Sequence, residues 1–535
     1  MRFRVLCLVT AFGMAAAAWG QGSPAAPQST TGQQPVGQTG GGYTLTVRSQ
    51  IVVLDVVVND KKGEPVKGLT GDDFTVYEDK VPQKVRSFEE TAPGAPSGVE
   101  SAPVNSTAEL DKKEPDAPVS IIVLDELTSR FEDEAFARYS LKKYLNSQGD
   151  TLQQPTMLIA TNFRNLMVLR DYTTSKKEIL EALEKHLEVY PWQAVNGSWK
   201  AEQFSAAFAS LMEVAQATQG HPGHKSVIWV GRGFPAIDWT SLDPIATARL
   251  QELIAKCTNM LRDARVTLYA VDPVGMSVEP PPQDENGFQI GDPFGGQVDF
   301  DGMARETGGQ TFHGRNDVDN LIGSGVRDGE TFYTLSYQPG AVSEDPKAFR
   351  RIHVVMKNPN LTATTREGYY AVTPPPAPAM DAAGKPSEQL IYDLAIAGES
   401  LMVYDGVPLT IARDTKKENS FVLKFPASTL GWTPEPERLT SQVAVEGLSF
   451  DRKGKFLKRE VELLTVAVPK LPEGKTETRT VAITVPALAD STVARVRFVL
   501  RSTGSGKVGA DNFFLVDRKT LADPVTGLKA EKAGR

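Results

Sequence analysis

The sequence predicts an α/β domain with a doubly wound, mostly parallel sheet, inserted into a β-sandwich and followed by a second, all-β sandwich. Three observations carry this. Between residues 119 and 329, short apolar runs alternate with helix-length amphipathic stretches, the pattern of a sheet covered on both faces. On either side, residues 43–91 and 330–373 hold β-branched and aromatic runs broken by turn residues. Beyond a Pro-rich stretch, residues 390–518 show strand-length runs and no helical stripe.

Taken in order, the chain opens with Arg2 and Arg4, an apolar run from Val5 to Ala18, and Ala18-Trp19-Gly20, a small-x-small cleavage pattern. Residues 1–20 therefore read as an export leader, which places the mature chain in the periplasm, at the cell surface or outside the cell. No later segment offers the roughly 18 uncharged apolar residues of a membrane span, so none is expected after cleavage. Residues 21–42 are rich in Gly, Gln, Pro and Ser, with almost nothing to bury, and read as a flexible linker. The segment 43–91 has strands at 51–58 and 74–77 separated by turns at Asp60-Lys61-Lys62-Gly63 and Glu78-Asp79. Three strands with one open face want a partner. The runs "TFYTLSYQPG", "FRRIHVVMKN" and "LTATTREGYYAV" after residue 329 supply one, giving a discontinuous sandwich of 43–91 plus 330–373.

Residues 92–118 read as a linker. Within 119–329, strands are expected at 119–124, 156–161, 166–170, 226–230 and 266–271. Helices are expected after Phe131, with Phe131, Ala135, Tyr139, Leu141 and Leu145 on one face, and at 175–188, 200–218 and 243–263. Residues 374–389 read as a Pro-rich linker, and 519–535 as a tail. All 535 residues cannot share one core, whereas 40% hydrophobic and 23% charged content is that of globular protein. With 58 basic and 66 acidic residues the chain carries net −8, and no basic block is interleaved with aromatics. Nothing points to a nucleic-acid partner.

The chemistry-bearing motifs are few. "DELTS" ends the first strand of the α/β segment at Asp125 and places Thr128 and Ser129 in the following turn. His221-Pro222-Gly223-His224 has H-x-x-H spacing but lies in a turn with no third ligand, so it reads as an ordinary polar loop. "STGSGKVG" (502–509) lacks the grammar of a phosphate loop and reads as a hairpin turn. Cys257 shares a helical stripe with Leu250, Leu253, Ile254 and Leu261 and reads as packing. No nucleophile elbow or H-E-x-x-H is present.

The α/β pattern with D-x-x-T-S after its first strand resembles a von Willebrand factor type A (vWA) domain, a Rossmann-like fold. Together with "DVVVNDKKGEPVKGLTGDDFTVYED" before it and "YTLSYQPG", "FRRIHVVMKN" and "TREGYYAV" after it, residues 43–373 resemble the vWA-related proteins of acidobacteria. The resemblance implies a protein-interaction or adhesion role and a metal-ion-dependent adhesion site. Asp125 and Ser129 match the first and last residues of its D-x-S-x-S triplet, but Leu127 stands where the middle Ser belongs. Ser198 is the nearest counterpart of the second loop's Thr. Gly231 and Arg232 occupy the place of the third loop's Asp, and the nearest carboxylate is Asp238. Mg²⁺ or Ca²⁺ needs several oxygens with enough charge to offset dehydration. The motif therefore reads either as a weakened cation site or as a degenerate one, in which Asp125 and Ser129 cap a helix or bond the loop.

Residues 279–302, "EPPPQDENGFQIGDPFGGQVDFDG", form a long insertion after a strand end, with Phe294 among its aromatics. The binding rim read from the sequence is thus Asp125, Thr128, Ser129, Ser198, Arg232, Asp238 and Phe294, facing an unidentified protein partner without catalysis or a resident cofactor. The alternative is a secreted carbohydrate-binding accessory or hydrolase using Asp125 or Asp238 as acid or base, with Trp432 as its one aromatic platform.

Overall fold

The apolar run that ends at Asp125 is buried along its whole length, as a strand covered on both faces must be. The computed structural model describes residues 5–7, 51–92, 103–127, 131–162, 166–187, 197–231, 233, 243–274, 300–340, 349–370, 376–470 and 477–516. In chain order the first elements are β1 (Val5–Cys7), β2 (Val52–Asn59), β3 (Phe74–Glu78), β4 (Val81–Gln83) and β5 (Val85–Thr91). The central unit follows: α1 (Thr107–Lys113), β6 (Val119–Asp125), α2 (Phe131–Ser147), β7 (Thr151–Thr161), β8 (Leu166–Ser175), α3 (Lys176–Lys185) and α4 (Gly197–Ala217). It continues through β9 (Lys225–Val230), α5 (Pro244–Asp263), β10 (Val266–Val271), α6 (Phe300–Glu306), β11 (Thr311–Phe312) and α7 (Val318–Glu330).

The central sheet is mixed, with order β11-β10-β9-β6-β7-β8; every pairing is parallel except β7 with β8. Alternation along β6 sends Val119, Ile121 and Val123 to a core shared with Phe208 and Leu211 of α4 and Leu261 of α5. Ile122 and Leu124 enter a second core with Leu141 and Leu145 of α2 and Leu321 and Ile322 of α7. Helix α2 buries Glu134, Ala137, Ser140, Leu141 and Leu145, whereas Phe131 and Tyr139 are each 62% exposed. The inward face read from the sequence is therefore rotated: Leu141 and Leu145 lie on it, but Phe131, Ala135 and Tyr139 do not.

Next come β12 (Phe332–Tyr337), β13 (Phe349–Met356), β14 (Thr362–Thr364) and β15 (Gly368–Tyr370). All but β15, which pairs with β13, pair with the strands that precede the central unit. One sheet runs β14-β2-β12-β5 and the other β15-β13-β3-β4. Leu54, Val56, Val76, Tyr333, Leu335 and Val354 fill the core between them. Chain segments more than 200 residues apart thus close one hydrophobic unit, as Ser336 Oγ meeting Ser87 Oγ across 249 residues illustrates.

The remaining elements are α8 (Glu388–Glu399), β16 (Tyr404–Asp405), β17 (Thr410–Arg413), β18 (Ser420–Pro426), β19 (Thr433–Pro434), β20 (Arg438–Phe450), β21 (Phe456–Pro469), β22 (Thr480–Pro486), β23 (Arg495–Ser502) and β24 (Val508–Phe514). A seven-stranded sheet, β1-β21-β20-β23-β24-β16 with β19 beside β20, faces the three-stranded β17-β18-β22. Phe421, Leu423, Val443, Val445, Phe498 and Leu500 lie in the core they share. Residues 503–507 form the β23–β24 turn, with the Gly506 N–H donating to the Ser502 carbonyl.

Helix α8 corrects the all-β expectation for this region. Ser387 caps it, its Oγ accepting from the Leu390 N–H, and Leu390, Leu394 and Ala397 join the same core as α4 and as Val499, Val508 and Ala510 of the seven-stranded sheet. The Pro-rich stretch before it is fastened rather than spanning a gap: Arg501 donates to the Ala377 carbonyl and Ser387 Oγ to that of Pro378. Among the described residues, no helix is long and apolar enough to cross a membrane.

Candidate functional site at the carboxyl edge of the central sheet

Strands β6, β7, β9 and β10 run parallel, so Asp125, Thr161, Val230 and Val271 end at one edge and the loops after them leave from it. That edge is where open α/β sheets place ligands. Asp125 sits there 1% exposed. Its Oδ1 accepts from the Leu127 N–H at 2.9 Å. Its Oδ2 accepts from the Trp229 indole N–H and from the Gly233 N–H, each at 3.0 Å. A buried carboxylate is tolerable because such donors replace its water. Gly231 completes the arrangement by its lack of a side chain: a Cβ there would stand 2.1 Å from Asp125 Cβ, at a φ of +156°.

Beside it, Glu126 and His186 form a buried pair, both side chains 1% exposed, through Glu126 Oε1 and His186 Nε2. Arg138 Nη2 donates to the carbonyls of His186 and Leu183, fixing the end of α3. Glu126 Oε2 and His186 Nδ1 have no hydrogen-bond partner among the described residues. At the end of β7, Thr161 Oγ1 meets Ser210 Oγ of α4 at 2.6 Å. Sequence reasoning missed His186 and Trp229. The only signal was Glu126 next to Asp125, and nothing local pairs it with a histidine 60 positions away.

Of the rim residues read from the sequence, Asp125 is placed as above. Ser198 falls in the first turn of α4, which begins at Gly197, three residues before the expected start. Thr128, Ser129, Arg232, Asp238 and Phe294 lie outside the described residues, as does the 279–302 insertion up to Phe300. Among the described residues, no group of three His, Cys, Asp or Glu side chains could hold a metal ion. Trp432 is half-buried against the C-terminal core and donates its indole N–H to the Ala427 carbonyl at 2.9 Å. Cys257 is fully buried, and burial pushes its thiol well above the usual range.

The opposite, amino edge of the sheet holds the largest departure from the sequence reading. The H-P-G-H stretch is not a solvated loop: His221 is 4% and His224 2% exposed. Burial, with Lys225 close by, pushes His221 down to about 4, and Nε2 lies 2.7 Å from the Ala117 carbonyl, a neutral imidazole's donor bond. His224 Nδ1 lies 3.1 Å from Asp55 Oδ2 on β2, and Arg265 Nε donates to the same oxygen at 3.1 Å. Burial would raise the Asp55 carboxyl, but the hydrogen bonds and charges of His224 and Arg265 hold it well below the usual range. Gly220 N–H donates to Asp405 Oδ1 of β16 at 2.5 Å. Lys225, fully buried, donates to the carbonyls of Gly223 at 2.9 Å and Ala264 at 2.7 Å; burial lowers its amine, as it raises the carboxyl of Asp405. All three units meet at this turn.

No protein-family model matches the chain, and no curated protein does. Among solved structures it is similar to proximal thread matrix protein 1 from the mussel byssus, at 12% identity over 44% of this chain and a TM-score of 0.26. The chain spans 51% of that protein in this structure, and 39% in a second crystal form. It is also similar to the SpRpn10 VWA domain, at 13% identity over 29% of this chain and 74% of that one, TM-score 0.20. Bacteroides uniformis beta-glucuronidase follows at 11% identity, 35% of this chain and 19% of that one, TM-score 0.12. Overlaps this slight transfer neither fold nor function.

Proposed function

We propose that this chain is an exported, non-enzymatic interaction protein that presents the carboxyl edge of a doubly wound, vWA-type domain to a protein partner at the cell envelope, with the flanking sheets acting as sandwiches that support it. The observation that carries the reading is the division of the central sheet's two edges. The amino edge is occupied by contacts to both other units, through Asp55 and Asp405. The carboxyl edge carries the loops that follow four parallel strands. In this reading the adhesion motif is degenerate and binding needs no metal, which is supported by the Asp125 carboxylate accepting from the N–H groups of Leu127 and Gly233 and from the Trp229 indole.

The test is site-specific photo-crosslinking of the full chain in the producing cell. A crosslinker at Ser198, Asp238 or Phe294 is expected to yield one common protein adduct, absent when it replaces exposed Thr75 or His353 on the outer face of the first unit. Equal labelling from both faces would refute a rim at the carboxyl edge.

A further inference from the structure

We propose that the outer edge of β21 is a strand-acceptor site that takes an extended, uncharged apolar segment of a protein partner in parallel pairing. Strand β21 is fourteen residues long, and on its inner side β20 pairs with it from Phe456 to Pro469. Apart from the three residues beside β1, its outer side is the border of the sheet. An unpaired border presents free N–H and C=O groups, and natural sheets protect such borders with charge, proline or short strands. The first half of β21 follows that rule with Lys458, Arg459, Glu460 and Glu462; in the second half "LLTVAV", Leu463 to Val468, has no charge, and the one proline, Pro469, stands only at the strand's end.

On the unprotected half, and nowhere else on this border among the described residues, a strand is seated. It is β1, pairing Val5 with Leu463, Leu6 with Leu464 and Cys7 with Thr465. The seated segment belongs to the leader that the sequence expects to be cut away on export, so cleavage uncovers an acceptor already shaped for apolar strand chemistry. Main-chain bonds would supply affinity, and alternate side chains against the sheet surface would supply selectivity. The site is separate from the carboxyl-edge rim, and only the moment of its opening rests on the export reading.

The test uses the full chain, wild type and Leu6→Asp, which displaces β1 without cleavage. The probe is a fluorescein-labelled peptide with the sequence of residues 5–10, which carries no charged side chain. Its anisotropy is expected to saturate with the Leu6→Asp chain and to need at least about tenfold more wild-type chain, whose tethered strand competes at high effective concentration. Amide exchange of residues 463–465 is expected to accelerate in Leu6→Asp and to slow again with peptide. Adding Thr465→Lys and Ala467→Lys, at half-exposed positions, abolishes peptide binding with the thermal transition retained. Absent saturation with Leu6→Asp, or equal binding to the lysine variant, overturns the proposal. So does a doubled mass of Leu6→Asp without peptide binding, which assigns the border to a second copy.

Discussion

The two edges of the central sheet solve the same problem in opposite ways. Each buries a carboxylate and satisfies it with donors from a turn containing glycine. At the amino edge the donors and acceptors come from different units: Asp55 of β2 meets His224 and Arg265, and Asp405 of β16 meets Gly220. At the carboxyl edge Asp125 meets Leu127, Trp229 and Gly233, all within the central unit. Buried groups at the amino edge therefore bridge units, whereas the buried carboxylate at the carboxyl edge bonds within one.

The sharpest way to break this contrast is Asp55→Ala. Removing one partner of a buried ion pair leaves its mates uncompensated, and a loss of about 3–5 kcal/mol is expected in urea unfolding. The single transition should split as the first unit uncouples, while the Trp229 environment stays native. Retention of one unshifted transition would mean that the amino edge does not bind the units together.

Gly231→Ala attacks the other edge. With a Cβ landing 2.1 Å from that of Asp125, the β9 turn must move, and about 3 kcal/mol of stability should go. Trp229 fluorescence should report the change; an unaltered spectrum and stability would show that Gly231 and Asp125 do not meet. Asp125→Asn is gentler. One acceptor becomes a donor facing N–H groups, for a cost of about 2 kcal/mol, with faster exchange at the Gly233 amide. Calorimetric titration of Mg²⁺, Mn²⁺ and Ca²⁺ should give the same absence of heat in wild type and variant. Heat present in wild type and lost in Asp125→Asn would restore the cation site and sink the structural role.

The smallest effect tests a buried acid of α4. Glu213 of α4 is buried and its carboxyl is pushed up to about 7, chiefly by burial. An acid whose folded pKa is raised holds its proton longer in the folded state, so stability is greatest below the unfolded value near 4.5 and declines as pH rises to about 7. Glu213→Gln should flatten that decline and gain about 1 kcal/mol at pH 8 in thermal unfolding. A wild-type profile flat from pH 5 to 8 would contradict the burial of Glu213.

Much of the architecture was legible in the sequence because its signals are local. The run Val266–Val271 announced a strand with those bounds, the stripe around Phe208 and Leu211 announced α4, and Cys257 announced packing. Helix α8 was illegible for a local reason as well: its twelve residues carry a short stripe, Leu390, Leu394 and Ala397, behind a Pro-rich stretch that reads as a spacer. The face of α2 was misjudged because Phe131 and Tyr139 are apolar enough to suggest a core that the neighbouring helices do not extend to cover.

The sequence by itself determined the main strands of the central sheet and the helices α2 to α5, that residues 43–91 need a partner, and that Asp125 and Ser129 lack the usual ligands around them. Only the tertiary structure decided what each buried polar group bonds. Asp125 finds Trp229 across 104 residues, Glu126 finds His186 across 60, and His224 finds Asp55 across 169. Hydrophobic periodicity is a property of neighbours in the chain, whereas a hydrogen bond needs its two atoms within about 3 Å in space. That proximity exists only after the sheets have closed.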